Sequence, residues 1–306
     1  MKKSLWQSHE WEQFQRNLGR ATARVRGTLM VMKPLFYRLS WAYVPRGHFS
    51  RHLEDRDSFF SELARLSKRK GLVFVRLDSE EKIEVPERYA VVRSRSEQPE
   101  TSLLLDLSLG EKELLAQMKR KGRYNIGLAE KRGIRVVKGR KARGHDTRED
   151  FVSLFFQLLQ QTTERDQFSG HDEHYYQRML RSLPMAEVMV AFYEEQPIAA
   201  GIFVFFEEVA LYYYGASSND HRELMAPYLL QWEAIKEAKK RGCRSYDFLG
   251  IAPDGAGEDH PWSGISSFKR KFGGRVVHYP QALDLVFRPC WYAMYRLLKR
   301  IRGWFW

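Results

Sequence analysis

Apolar positions along this chain fall into two spacings. Runs rich in aromatic and β-branched residues, Trp41 to Val44, Leu72 to Leu77, Leu211 to Tyr214 and Arg244 to Leu249, read as strands of a mixed sheet. Between them lie segments with an amphipathic helical spacing, carried by Phe59, Phe60, Leu63 and Leu66 in one and by Tyr228, Trp232 and Ile235 in the other. Each helix ends in a basic turn and a glycine, Lys68-Arg-Lys-Gly71 and Lys240-Arg-Gly242. The cations complement the negative end of the helix dipole, and the glycine supplies the left-handed position past the last turn.

The order strand, turn, long helix, glycine, strand thus occurs twice, with Pro45-Arg46-Gly47 after the first strand of one copy and Gly215 after that of the other. This weak duplication predicts two related α/β units with mixed sheets. At 306 residues the chain is also long for one hydrophobic core. The stretch Lys138-Gly-Arg-Lys-Ala-Arg-Gly-His-Asp-Thr147 is basic and poor in apolar residues, and we place the domain junction there. Before it, Glu111 to Gly133 reads as helical and leads into a strand from Ile134 to Val137. Its run Lys119-Arg-Lys-Gly-Arg123-Tyr-Asn-Ile has the plain reading of a solvated basic helix face.

Composition adds a charge argument. The chain holds 51 Lys and Arg against 38 Asp and Glu, a net +13, so its field favours anionic partners: nucleic acid, phosphorylated precursors or anionic lipid. Charge does not choose among them. Two cysteines, Cys243 and Cys290, have no metal-ligand spacing around them and fit a reducing compartment. The start, Met1-Lys-Lys-Ser-Leu-Trp, has no apolar core of a signal peptide, and no run approaches the ~18 apolar residues of a spanning helix. A cytoplasmic enzyme without metal or cofactor is the expectation.

Candidate chemistry concentrates between Tyr246 and Gly273. The chain reads Tyr246-Asp-Phe-Leu-Gly-Ile251, then a Gly/Asp/Pro-rich loop, then Phe268-Lys-Arg-Lys-Phe-Gly273: a strand ending in Gly250 and a loop that delivers Lys269 beside two aromatics. This resembles the second-domain site of the Fem family of peptidoglycan interpeptide-bridge aminoacyltransferases, and the resemblance covers nearly the whole chain; the run from Lys119 to Ile126 resembles the family's basic segment leading to a strand, here Ile134 to Val137. It implies two tandem GNAT (acyl-CoA N-acyltransferase-like) domains, as in the compact members, with the chain after about Val277 returning to the first. The domains would then be 1–144 plus 278–306, and 145–277, in a protein expected to be a monomer. The implied reaction moves an amino acid from aminoacyl-tRNA to the stem-peptide amine of a peptidoglycan precursor, lipid II or UDP-MurNAc-pentapeptide.

The residues bear on that implication one by one. A coenzyme A domain cradles pyrophosphate with backbone N–H groups in a loop of the form Arg/Gln-x-x-Gly-x-Gly/Ala. After Tyr214 this chain has Arg222-Glu-Leu-Met-Ala-Pro227, with Met225 for the first glycine and, at the last position, a proline that lacks an N–H. A tRNA donor accounts for both the altered loop and the positive charge, with Arg270 and Lys271 as phosphate contacts. Lys239 to Arg241 have the simpler reading of helix capping.

Acyl transfer to an amine needs a neutral nucleophile and stabilisation of the developing oxyanion. By resemblance Lys269 takes the oxyanion or leaving-oxygen role, between Phe268 and Phe272. Asp106, in Leu103-Leu-Leu-Asp106-Leu-Ser, matches a family aspartate placed to accept the amine proton; the other reading is a turn or N-cap carboxylate ahead of the helix. Asp247 reads as structural, orienting the loop that carries Lys269.

For the acceptor, Phe168-Ser-Gly-His171-Asp-Glu-His-Tyr175 resembles a precursor-binding element in which an Arg and, four residues later, a Tyr hold the diphosphate. Tyr175 matches and His171 stands in the Arg position, removing a permanent charge. Tyr212 or Tyr214 would complete the site from the central strand, where alternation lets only one face point inward. In the family's Trp-x-x-x-Lys helix this chain has Trp11-Glu-Gln-Phe-Gln15, so Gln15 replaces the lysine and Arg16 stands beside it. These departures point toward a lipid-linked precursor.

From Arg288 to Trp306 one helical stripe is apolar, with Trp291, Met294, Leu298 and Ile301, and another basic, with Arg296, Lys299, Arg300 and Arg302. That pattern suits a helix in an anionic bilayer interface, or a terminal helix docked on the first domain. Two rival functions stand beside the leading one: a coenzyme A-dependent N-acyltransferase, and a non-catalytic protein binding nucleic acid or a membrane surface.

Overall fold

The computed structural model describes residues 4–36, 39–49, 55–139, 141–142, 145–146 and 148–301. The chain divides into two compact units, Lys3–Glu100 with Tyr279–Trp306, and Thr101–His278.

The first unit opens with α1 (His9–Asn17), capped by the Ser8 hydroxyl on the Trp11 N–H, and a meander of β1 (Thr22–Val25), β2 (Thr28–Phe36) and β3 (Leu39–Gly47). Helix α2 (Arg56–Lys70) then crosses to β4 (Leu72–Ser79), which lies parallel to β3, and β5 (Ala90–Arg93) follows. Phe59, Phe60, Leu63 and Leu66 are the buried face of α2, packed on Val44, Val75 and Leu77. That is the stripe its spacing predicts.

The second unit begins with β6 (Thr101–Asp106), α3 (Glu111–Gln117), α4 (Arg120–Lys131) and β7 (Arg135–Lys138). A two-residue ladder, β8 (Lys141–Ala142) with β9 (His145–Asp146), precedes α5 (Arg148–Asp166) and α6 (Glu173–Ser182). Three long strands follow: β10 (Ala186–Tyr193), β11 (Gln196–Phe206) and β12 (Val209–Ser217). Then come α7 (Ala226–Lys240), β13 (Ser245–Gly250), α8 (Ser263–Lys269) and β14 (Arg275–His278). The chain finally re-enters the first unit as β15 (Leu283–Val286) and α9 (Pro289–Ile301).

The sheet orders are β1-β2-β3-β4-β15-β5 and β14-β6-β13-β12-β11-β10-β7. Each contains one parallel pair, β3 with β4 and β12 with β13, joined across α2 and α7 respectively. The predicted duplication of strand, helix and strand is therefore the βαβ crossover of each unit.

Two expectations about organisation differ from the structure. The first junction falls after Glu100 and not at 144, because β6 lies between β13 and β14, and β7 is bonded to β10. Of the expected junction segment, 140, 143, 144 and 147 lie outside the described residues, as do 302–306 of the tail. The helical stretch from Glu111 is also broken: Met118 is extended and buried, and the Lys119 N–H donates to the Lys271 carbonyl at 3.0 Å instead of continuing a helix. Among the described residues no helix is long and apolar enough to cross a membrane.

Candidate active site

β12 and β13 are paired over three residues only, Val209–Leu211 against Ser245–Asp247. Just past that ladder each strand carries an irregularity. The register of β12 on β11 slips between Ile202 and Phe203, so that these neighbours pair with Tyr214 and Tyr212 and Tyr213 is left over. On the other side β13 slips against β6 between Asp247 and Gly250. Bulges re-aim side chains, and these two flank the place where the parallel ladder ends.

The β12 bulge resolves the choice between its tyrosines. Strict alternation would put Tyr212 and Tyr214 on one face; the extra residue puts them on opposite faces. Tyr212 stacks on Phe203 at 5.6 Å and packs against the main core, and a Cβ at Gly215 would overlap its hydroxyl. Tyr214 instead meets α6, its hydroxyl 3.3 Å from that of Tyr175 and its ring edge-on to Tyr176.

In β13 the slip is held by Asp247. Leu249 has φ 57°, a left-handed conformation that a branched L-residue adopts only under constraint. Asp247, 6% exposed, accepts from the Leu249 N–H at 2.7 Å and from the Ser102 hydroxyl. The following carbonyl, that of Gly250, accepts from Lys269 Nζ at 2.7 Å.

Lys269 ends α8 and is 7% exposed, with its Nζ 5.7 Å from the centre of the Tyr212 ring. Burial pulls its pKa down to about 8, while the nearby Asp247 carboxylate acts in the opposite sense. Phe268 and Phe272 form the wall behind it. Phe272 is fully buried against Tyr228 and Phe248, so it shapes the site from within the core; Phe268 is only half-buried.

Of the acceptor-side candidates, His171 and Tyr175 come together in one stack, 3.7 Å between ring centres, and Tyr175 reaches Tyr214. Desolvation raises the pKa of the Tyr176 hydroxyl to about 12 and that of Tyr214 well above the ordinary phenol value, so both remain neutral. The cluster offers aromatic faces and hydroxyls to a polar ligand.

Asp106 is not brought to Lys269. In the antiparallel pair of β6 and β13, Asp106 lies opposite Ser245 while Gly250 lies opposite Ser102, so the carboxylate is at the far end of the strand. It is exposed and accepts from the Ser108 N–H at 2.9 Å, and the Ser108 hydroxyl and N–H together lower its pKa. The turn-carboxylate reading is the one its contacts match.

In the first unit Gln15 is buried and accepts from Arg20 at 2.7 Å. Arg16 donates to Glu12 at 2.6 Å and to Thr22 at 2.8 Å, so both are engaged in the α1 network. Arg270 bonds Asp254 at 3.2 Å, and Lys271 Nζ lies 5.7 Å from the Tyr228 ring centre. Lys239 donates to the carbonyls of Leu107 and Leu109, and Arg241 pairs with Glu237 and Glu187. Sequence reasoning passed over Ser102 and the Gly250 carbonyl; the Asp-x-Leu-Gly end of β13 was the only trace of them.

At Met225 the backbone is left-handed, φ 57°, and α7 starts at Ala226 with Pro227 in its first turn. Among the described residues no group of three His, Cys, Asp or Glu side chains is arranged to hold a metal ion.

A model of the FemAB family matches residues 89–193 and 182–300. The aminoacyltransferase FemA of Staphylococcus epidermidis is 32% identical over 108 residues, 35% of this chain and 26% of that protein. FemA of Staphylococcus aureus is 31% identical over the same length. The matched stretch thus spans about a quarter of these curated relatives. The crystal structure of FemX superposes with a TM-score of 0.80, covering 95% of this chain and 94% of that one at 17% identity. L-PGS from Bacillus licheniformis gives 0.57 over 99% of both chains at 13% identity, a likeness of fold.

Proposed function

The chain belongs to the FemAB family, and from that premise we propose that it is an aminoacyltransferase moving an amino acid from aminoacyl-tRNA to the stem-peptide amine of a peptidoglycan precursor. The observation that carries this reading is Lys269: a lysine buried at the end of a split parallel pair, its ammonium tied to a carbonyl at a strand bulge.

The acceptor nitrogen attacks the ester carbonyl carbon, the C–N bond forms, and the carbonyl oxygen takes up negative charge. Lys269 retains two N–H donors beyond the one given to Gly250, and in a site largely closed to water such a donor is worth far more than in solution. The C–O bond then breaks, and the ribose oxygen leaves with the proton that the amine has lost. With Asp106 at the other end of β6, that proton passes through Lys269 or solvent.

The acceptor would meet the His171, Tyr175 and Tyr214 cluster. A lipid-linked precursor is favoured: both precursors carry a diphosphate, but one already held at a bilayer surface depends less on the permanent charge that His171 lacks. Helix α9 supports the same choice. It leaves Trp291, Leu297, Leu298 and Ile301 exposed, with Arg296 and Arg300 beside them, a face suited to an anionic cytoplasmic leaflet. Coenzyme A is disfavoured as donor by Pro227, which offers no N–H at the start of α7.

The test is transfer of a labelled amino acid from charged tRNA to lipid-linked and nucleotide-linked precursors, with and without RNase pretreatment. Product should form only with intact tRNA, and more of it from the lipid-linked acceptor; product that survives RNase overturns the reading. Lys269→Met should lower kcat by about 10²–10³, the usual loss for one oxyanion donor, with a smaller change in KM.

A further inference from the structure

Helix α4 is held against the Lys269 site by its first turn. Gly122 sits so close to the Lys271 carbonyl that a Cβ there would stand 2.6 Å from the oxygen, and the Lys119 N–H donates to that same oxygen at 3.0 Å. Lys271 is two residues past Lys269, so the start of α4 and the candidate acyl-transfer lysine share one short piece of backbone. Gly122, Asn125, Ile126 and Ala129 form the buried face of the helix. At 100° per residue the opposite face presents Arg120, Tyr124 and Lys131 along its centre and Lys121 at its flank, all four exposed.

Several cations elsewhere in the unit are answered by acids. Arg135 is answered by Glu195, Lys138 by Glu237, Arg241 by Glu187, Arg244 by Glu208 and Arg270 by Asp254. Arg120, Lys121 and Lys131 form no ion pair among the described residues. Three cations at 119–121 also stand at the positive end of the helix dipole, with no acid in the first turn, an arrangement that folding alone disfavours. In their midst Tyr124 is 64% exposed, an aromatic ring offered to solvent beside unpaired cations.

We infer that this face of α4 binds the single-stranded part of an RNA across the helix from the Lys271 backbone, with Arg120, Lys121 and Lys131 on phosphates and Tyr124 stacked on a base. Cations that track a backbone and an aromatic platform for a base are the two elements of sequence-tolerant single-strand binding. The inference rests on the aminoacyl-tRNA donor reading, in which the reactive ester terminates an unpaired 3′ strand. An anionic bilayer is the other polyanion of matching charge. It is disfavoured because the only large aliphatic near the outward face, Leu128, is half-buried, which leaves nothing to insert.

Fluorescence anisotropy on the full chain tests this, with an uncharged RNA hairpin bearing a short single-stranded 3′ end and a blunt hairpin of the same stem. The wild type should prefer the overhang. Tyr124→Ala should weaken overhang binding about tenfold and leave the blunt hairpin unchanged, and Tyr124→Phe should restore it. The triple variant Arg120→Ala, Lys121→Ala, Lys131→Ala should reduce the slope of log affinity against log salt by about 2, with a melting temperature no lower than that of the wild type. Wild-type binding with unaltered affinity and slope in the variants overturns the α4 surface and leaves the donor reading intact. A wild type that binds no RNA overturns both. Variants that lose only binding to phosphatidylglycerol vesicles make the face a lipid surface and overturn the inference as well.

Discussion

Lys269 lies where water barely reaches it, and the consequences run in two directions. In the folded protein its pKa is about 8 against an ordinary 10.5, so the charged form is penalised by folding. Between those values the unfolded chain binds more protons, and stability therefore rises with pH through that window. Below about pH 8 the full penalty is present. Lys269→Met removes it, so the melting temperature of the variant relative to wild type should be highest near pH 7 and fall as pH approaches 10.5; a difference independent of pH would contradict the buried charge. Activity runs the other way. An ammonium donor is lost as pH rises through about 8, which predicts an alkaline limb in kcat there. Asp247→Asn removes the carboxylate that favours the ammonium and should move that limb to lower pH; a limb that stays in place would remove Asp247 from the electrostatics of the site. Of this geometry the sequence disclosed Lys269 and its two flanking phenylalanines, through their motif. Leu249 at φ 57° and the β12 bulge at Tyr213 left no trace, because both are set by pairing with Ser102 and Phe203 on distant strands.

At the scale of the element, α9 shows how one helix satisfies two readings of the same sequence. Tyr292 and Tyr295 face the first sheet, their rings 5.2 Å and 5.0 Å from that of Phe74, and Tyr292 donates to Asp284 at 2.8 Å. Met294, Leu297 and Ile301 lie on roughly the opposite side, and Trp291 at its margin touches Phe36. Helical spacing alone picked out Trp291, Leu298 and Ile301, which are exposed, but it omitted the exposed Leu297, included the half-buried Met294, and could not tell that tyrosines, not leucines, do the docking. The two faces are separable by substitution. Leu297→Asp with Ile301→Asp should weaken co-sedimentation with anionic vesicles about tenfold or more while leaving the melting temperature unchanged, since about 1.5–3 kcal/mol of apolar transfer is lost per side chain that inserts fully. Tyr292→Phe should do the reverse, lowering the melting temperature through a buried carboxylate oxygen that loses one donor. Equal vesicle binding by the double variant and the wild type would dismiss α9 as a membrane face.

Across the whole molecule, what periodicity disclosed was local and what it did not disclose was long-range, the return of the chain after about Val277 being implied by resemblance alone. The crossovers β3-α2-β4 and β12-α7-β13 are continuous in the chain, so periodicity and punctuation found both. The insertion of β15 between β4 and β5, and of β6 between β13 and β14, depends on partners far apart in sequence, which is why the junction was placed inside the second unit. That topology makes a prediction about the ends of the first unit. Arg76, 3% exposed, is bidentate with Asp284 at 2.8 Å and 2.9 Å across 208 residues, and Tyr292 shares the same carboxylate. A chain stopped at His278 would lose an interior strand and the bidentate partner of Arg76, which keeps only its 3.2 Å contact with Glu97; breaking a buried pair costs up to about 3–5 kcal/mol. Against a typical domain stability of roughly 5–15 kcal/mol, the first unit should unfold, whereas the second keeps every strand of its sheet. Limited proteolysis of the truncated chain should therefore digest the segment before Glu100 and leave a resistant fragment beginning near Thr101. Resistance extending back to α1 would mean that β1 to β5 hold together without β15, and that the return of the chain is not what stabilises the first unit.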